Sequence, residues 1–330
     1  MAMDLDPSVS WHQSKDFLNL SNRDCEVIEK PFFCFVIRDF FPQDLYQALY
    51  DEFPGPDAFT RKLGEGKRFM APADIRRAIT ASPTWSWFTN NLSSQWFLDQ
   101  VFQFLKPHLL KSRGLPGLRR WKYISDGGGE NATAILERNV QVNYEFSRLP
   151  AGSYLTPHTD KIGKLASILV YFPHPDWKDA RQGSTEFYTP NDPSMRRNWS
   201  NRHLDFDNVK PFLSVDFKPN TLIGFVKSAD SYHGVREINC PDGLERTSFN
   251  MNYSVPIADQ RTLFSRGIAS YHRRLEAWNF RNMPDLKAMD SLKRRVEIET
   301  LSRQGLTDDE IAFKSGMTPK QLEYFRNYGE

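Results

Sequence analysis

The sequence predicts a mainly β fold with flanking helices: an antiparallel double-sheet roll, with N-terminal helices before it and a helical extension after it. Three observations predict this. Between residues 139 and 256 the apolar period is strand-like in eight short runs, each bounded by Gly, Pro, Asn or Asp. No helical run interrupts them, so they can pair as antiparallel neighbours in two facing sheets. On either side of this region apolar residues recur every three and four positions, the period of a half-buried helix.

Taken in order, residues 1–30 are polar and weakly patterned, and order is expected to begin near residue 31. EKPFFCFVIRDF supplies β-branched and aromatic residues in one run and reads as a strand. After Phe41-Pro42, QDLYQALYDEF places Leu45, Leu49 and Phe53 on one helical face, and Pro54-Gly55-Pro56 stops that helix. SSQWFLDQVFQFLKPHLL, residues 93–110, predicts a second amphipathic helix, kinked or ended at Pro107. Gly127-Gly128-Gly129 marks a loop. The strand runs follow as VQVNYEFSRL, SYLTPH, LASILVYF, STEFYTP, PFLSVDF, NTLIGFV, YHGVREI and RTSFNMNYSV, with a polar insert from Asn191 to Asp207. The tail changes character: residues 261–303 carry ten Lys or Arg against five acids. LTDDEIAFKSGMTPKQLEYF then shows two capping signatures, Thr307 with Glu310 and Thr318 with Gln321. The chain thus divides into a polar segment over 1–30, a domain over 31–256 and a helical extension over 257–330.

Composition narrows the function. With 330 residues, 39% hydrophobic and 25% charged, the chain has the makeup of a globular protein with a sizeable core. Its 43 basic and 41 acidic side chains imply no uniform electrostatic partner. No run approaches the roughly eighteen apolar residues of a membrane span, and MAMDLDPSVSWHQ lacks the basic-then-apolar order of a secretory leader, so a cytoplasmic setting is expected. Cys25, Cys34 and Cys240 form no C-x-x-C pair and are expected to be reduced thiols.

Three His-x-Asp triplets raise metal chemistry: His158-Thr-Asp160, His174-Pro-Asp176 and His203-Leu-Asp205. Residues at i and i+2 of an extended segment point to one side, so such a pair can meet one ion. His174 lies in FPHPDW, which reads as a turn, and His203 lies in the polar insert; both are read as structural surface residues. His158 and Asp160 instead end the strand run SYLTPH at the mouth of a sheet. The only later histidine of the β region is His233, in YHGVREI. Two imidazoles and one carboxylate are the set that selects ferrous iron while leaving positions open. Arg246, Ser248, Asn250 and Asn252 then share one face of RTSFNMNY, and a polar row on a core strand needs something polar against it. The planar fork of Arg246 suits a carboxylate, a contact worth roughly 1.5–3 kcal/mol. Tyr171 shares a face with Ser167 and Leu169 and offers its hydroxyl to the same carboxylate. Asn143 is a further candidate for lining the pocket.

These residues resemble the Fe(II)- and 2-oxoglutarate-dependent dioxygenases, and within them the prolyl-4-hydroxylase-like branch. The resemblance runs through YLTPHTD, ILVYFPHPDW, GSTEFY, YHGVREI and ERTSFNMNY, with PFFCFVIRDFFPQDLYQALYDEFP as the lead-in. It implies a double-stranded β-helix (jelly roll) core and the use of Fe(II), 2-oxoglutarate and O2. It implies His158, Asp160 and His233 as iron ligands, Arg246 as partner of the distal 2-oxoglutarate carboxylate, and Ser248 and Tyr171 as its helpers. The implied reaction hydroxylates an unactivated carbon of an amino-acid, peptidyl, sugar-acid or natural-product substrate, with release of succinate and CO2. The sequence departs from the pattern in the NCPDG stretch, which lengthens the interval from His233 to Arg246, and in the insert between the two histidines.

Two readings of other classes stand beside this one. A roll can bind a metal and a small acid without oxidising anything. The segment TDDEIAFKSGMTPKQL has the cadence of a helix-turn-helix, yet Lys314 and Lys320 sit among Asp308, Asp309 and Glu310, a charge balance that argues against phosphate binding.

Overall fold

Alternation of apolar and polar residues, the period of an extended strand, organises the chain into two sheets. The computed structural model describes residues 15–62, 65–113, 120–123, 137–161, 163–198, 201, 203–241, 243–255, 298–315 and 322. Its strands are β1 (Glu26–Ile28), β2 (Cys34–Ile37), β3 (Arg61–Lys62), β4 (Arg68–Phe69), β5 (Arg120–Tyr123), β6 (Glu137–Pro150), β7 (Leu155–His158), β8 (Lys164–Tyr171), β9 (Thr185–Pro190), β10 (Val209–Val215), β11 (Leu222–Val226), β12 (Tyr232–Val235) and β13 (Glu245–Ser254). The larger sheet runs β1-β2-β11-β8-β13-β6-β4-β3, with β5 parallel on β6, and the smaller runs β10-β9-β12-β7. From β6 to β13 the chain passes back and forth between the sheets, and every pairing among these strands is antiparallel.

The larger sheet has two chemically different faces, and β13 shows why. Phe249, Met251 and Tyr253 project to one side, while Arg246, Ser248, Asn250 and Asn252 project to the other. The apolar side joins Phe146, Ile168 and Val170 under the helices α1 (Gln43–Asp51), α2 (Pro72–Ala81), α3 (Pro83–Leu92) and α4 (Gln95–Arg113). Trp85 of α3 anchors this layer, its ring 4.7 Å from both Phe146 and Phe249. The opposite side faces the smaller sheet. There Tyr171, Ile223 and Phe225 pack against Phe187 and Val215 in a second core cluster.

Local sequence explains where the helices begin. Ser82 caps α3 by accepting from Trp85 N, with Pro83 in the first turn. The Glu52 carboxylate accepts from the hydroxyls of Ser82 and Thr84, which ties the end of α1 to the start of α3. Thr307 and Glu310 form the reciprocal capping box that their spacing predicts, and the helix Asp308–Ser315 follows. Ile298, Ile311, Ala312 and Leu322 form a small cluster of their own.

Several elements differ from the sequence reading. Within EKPFFCFVIRDF only Cys34–Ile37 is a strand, and it pairs with β1 and β11. The helix of residues 93–110 continues through Pro107 to Arg113. Helices α2 and α3 are absent from that reading: α2 carries the apolar period of an amphipathic helix, whereas α3 buries residues on much of its circumference, so no polar stripe marks it. Gly127-Gly128-Gly129, the Thr318 and Gln321 signature, the first fourteen residues and most of the basic stretch lie outside the described residues. The three cysteines are free thiols. Among the described residues no helix is long and apolar enough to cross a membrane.

Phe249→Ala removes the ring that joins Trp85, Phe146 and Tyr144, and is expected to destabilise the fold by about 3–5 kcal/mol. Urea denaturation checks this, with the exposed Asn143→Ala expected to stay within about 0.5 kcal/mol of the parent.

Candidate metal centre

β7 ends on His158 and β12 carries His233, and the antiparallel register makes the two residues direct partners. Their rings lie 4.4 Å apart between centroids. Asp160 follows after one residue, and its left-handed backbone, φ +69°, turns the carboxylate back toward the pair. Asp160 Oδ1 lies 3.8 Å from His158 Nε2, and Oδ2 lies 3.5 Å from His233 Nε2. One ligand atom from each residue lies within 4.8 Å of the others. His158 Nδ1 is 2.8 Å from the Thr156 carbonyl and His233 Nδ1 is 3.0 Å from the Ser231 carbonyl. A carbonyl can only accept, so both Nδ1 atoms carry the proton and both Nε2 lone pairs face the carboxylate.

Charge states follow from the surroundings. Burial pushes the His158 imidazolium well below its ordinary value, and the neighbouring His233 and His203 add to the effect. Burial also lowers His233, against the pull of Asp160. Burial opposes ionisation of Asp160, but the Lys164 ammonium at 2.8 Å, followed by His233 and His158, holds the carboxyl far below the usual range. Two neutral imidazoles and an ionised carboxylate are the protonation state that a divalent metal requires.

A second pole lies in the same cleft, an open space of about 710 Å³. Arg246 is only 3% exposed. Its Nε donates to the Gly183 carbonyl at 2.5 Å and one terminal nitrogen donates to Thr185 Oγ1 at 3.0 Å. The guanidinium carbon sits 5.0 Å from the Tyr171 ring centroid and 5.4 Å from that of Phe217. Gly183, at φ +79°, leaves room for the arginine stem, which would lie 3.1 Å from an added Cβ. Among the described residues no carboxylate pairs with Arg246. A buried cation without a counterion is costly, and it faces the cleft.

The structure brings His158, Asp160, His233, Arg246 and Ser248 into this one cleft, together with Asn250 and Asn252. Ser248 shares a hydrogen bond with Ser147 at 2.9 Å. Tyr171 does not line the cleft: its hydroxyl donates to Thr185 Oγ1 at 2.5 Å and accepts from Thr185 N at 2.9 Å. Asn143 is exposed. His174 and Asp176 are exposed in their turn, as expected. His203 corrects the sequence reading. The insert returns along β7, pinned by Leu204 N to the Pro157 carbonyl at 2.9 Å, and stacks His203 on His158 at 4.9 Å and 12°. Its Nδ1 lies 2.7 Å from Thr156 Oγ1, which donates to Glu65. Thr185 and Lys164 also line the cleft and were missed. Nothing local marks Thr185, whereas Lys164, four residues after Asp160 at the start of a strand run, was open to notice.

No known protein family and no curated protein matches the chain. Among solved structures it is similar to a prolyl-4-hydroxylase of Pseudomonas putida, with 15% identity, 68% of this chain and 92% of that one covered, and a TM-score of 0.34. It is similar to a prolyl hydroxylase of Trichoplax adhaerens in complex with a hypoxia inducible factor peptide fragment, with 12% identity, 71% and 87% covered, and a TM-score of 0.36. It is also similar to HygX of Streptomyces hygroscopicus with nickel and 2-oxoglutarate bound, with 14% identity, 67% and 82% covered, and a TM-score of 0.34.

The lowered imidazole values set a pH dependence for the metal-free protein. Unfolded histidines take up protons near pH 6.5 while His158, His233 and His203 resist, so stability is full above about pH 6.5 and falls as pH drops below it. The depressed Asp160 adds a further loss below about pH 4. Urea midpoints measured with a chelator at pH 7.5, 6.5 and 5.5 are expected to fall in that order, and a midpoint unchanged to pH 5.5 contradicts the assignment.

Proposed function

We propose that the protein is an Fe(II)- and 2-oxoglutarate-dependent oxygenase on a double-stranded β-helix (jelly roll), which hydroxylates an unactivated carbon and releases succinate and CO2. The observation that carries this reading is the pairing, in one cleft, of a two-imidazole, one-carboxylate cluster with a buried guanidinium that has no acidic partner among the described residues. A five-carbon 2-oxo diacid has the two functions that these poles ask for: a chelating oxo acid and a distal carboxylate. The passage of β6 to β13 between two four-stranded sets supports the roll.

In this reading His158, Asp160 and His233 would hold Fe(II), a ligand set that suits ferrous iron. When bound, the iron supplies the oxidising power drawn from O2 and the decarboxylation of 2-oxoglutarate. The chain's own residues do the rest. The carbonyls of Thr156 and Ser231 fix the imidazole tautomers. Arg246 and Thr185 clamp the distal carboxylate, with Ser248 beside them, while Tyr171 acts through Thr185 by holding its hydroxyl and its backbone N–H. Leu155, Leu169, Phe225 and Val235 supply the apolar part of the cleft lining. The catalytic domain is residues 31–256, extended at its start by β1 in the larger sheet and by Phe17, Leu18 and Leu20 in its core.

Oxygen-dependent conversion of 2-oxoglutarate to succinate tests the reading. The parent protein with Fe(II) is expected to release succinate, and His158→Ala or Asp160→Ala to abolish release. Arg246→Ala is expected to raise the 2-oxoglutarate requirement roughly ten- to hundredfold, as the loss of one charge-assisted contact predicts. Normal turnover in His158→Ala would sink the ligand assignment.

A further inference from the structure

The cleft has a second polar wall that neither pole explains. Every lining residue that β6 and β13 contribute is polar, and beyond Ser147 and Ser248 these strands present Glu145, Asn250 and Asn252, joined by Lys67 from the turn before β4. Ser167, the pairing partner of Asn252, lies 3.4 Å from Asp160, so this wall runs toward the metal ligands while Arg246 lies at the other end of the row. Lys67 Nζ sits 2.5 Å from Glu145 Oε1, and the same oxygen accepts from Asn250 Nδ2 at 2.7 Å. Asn252 Oδ1 accepts from Ser167 at 3.1 Å. Among the described residues this leaves Glu145 Oε2, two of the Lys67 N–H groups and the Asn252 amide N–H without protein partners, all on residues that line the cleft. One strong acceptor therefore stands beside a cationic donor and a neutral donor.

Resting on the oxygenase reading, we infer that this wall is the subsite of the molecule that is oxidised, and that it selects a small hydrophilic acid of the amino-acid or hydroxy-acid class. Glu145 Oε2 accepts from the ammonium or hydroxyl, while Lys67 and Asn252 donate to the carboxylate. The charge balance agrees. Lys67, Lys164 and Arg246 stand against Glu145 and Asp160, three positive against two negative, so one positive charge is left over. Fe(II) and the 2-oxoglutarate dianion cancel each other, and the remaining charge favours a hydroxy acid, whose single carboxylate cancels it, over an amino acid zwitterion of no net charge. The apolar neighbour of this wall is Leu169, the pairing partner of Asn250, and polar side chains surround it on β6, β13 and Lys67.

The test is calorimetry on the full-length protein loaded with Ni(II), titrated first with 2-oxoglutarate. The second titrants are the common L-amino acids, their α-amides, L-lactate and D-gluconate. At least one free acid is expected to bind roughly tenfold or more tightly than its amide, and Lys67→Met to lose that preference. Asn252→Ala removes one donor and leaves the ion pair intact, so a several-fold loss is expected there even if Lys67→Met folds poorly. No binding of 2-oxoglutarate contradicts the oxygenase reading. Binding of 2-oxoglutarate with no acid preferred, or with affinity unchanged in both variants, overturns the subsite alone.

Discussion

The pairing of His158 with His233 across β7 and β12 is the constraint on which the site depends. Strand side chains alternate, so a slip of one residue would turn one imidazole to the opposite face and dissolve the cluster. Gly234 allows the close approach that holds this register: a Cβ there would meet the Leu155 carbonyl oxygen at 2.5 Å. Hydrogen bonds from each Nδ1 to the second residue upstream then fix both rings within their own strands. Asp160 needs no third strand, because a single left-handed residue returns its carboxylate to the pair.

The larger sheet makes this arrangement tolerable. Its outer face buries Phe146, Phe249, Ile168 and Val170 under four helices, which frees the inner face to carry polar groups. Those groups are not random. Arg246 is held by Gly183 and Thr185, Glu145 by Lys67 and Asn250, and Asp160 by Lys164, and among the described residues no carboxylate pairs with the Arg246 guanidinium. A fold keeps such an imbalance where a ligand removes it.

Much of this was legible in the sequence where chemistry is local. RTSFNMNY showed both its faces through a period of two, and the triplet at His158 stood apart because it ends a strand run. What escaped the sequence is nonlocal. His203 reads as a surface residue of a polar insert, and only the return of that insert along β7 stacks it on His158. Tyr171 shares the inward face as expected, yet Thr185 from another strand takes its hydroxyl. Helix α3 hides its period because aromatic and small polar residues are buried on most sides.

The central claim is that three ligands and one guanidinium form a single chelate site for a metal and a 2-oxo diacid. Anaerobic titration of the metal-free protein with Fe(II) and 2-oxoglutarate, followed in the visible, addresses it most directly. The account predicts the charge-transfer band of a metal-chelated 2-oxo acid in the parent protein and its loss in His233→Ala. No band with iron bound, or an equal band in His233→Ala, would contradict it.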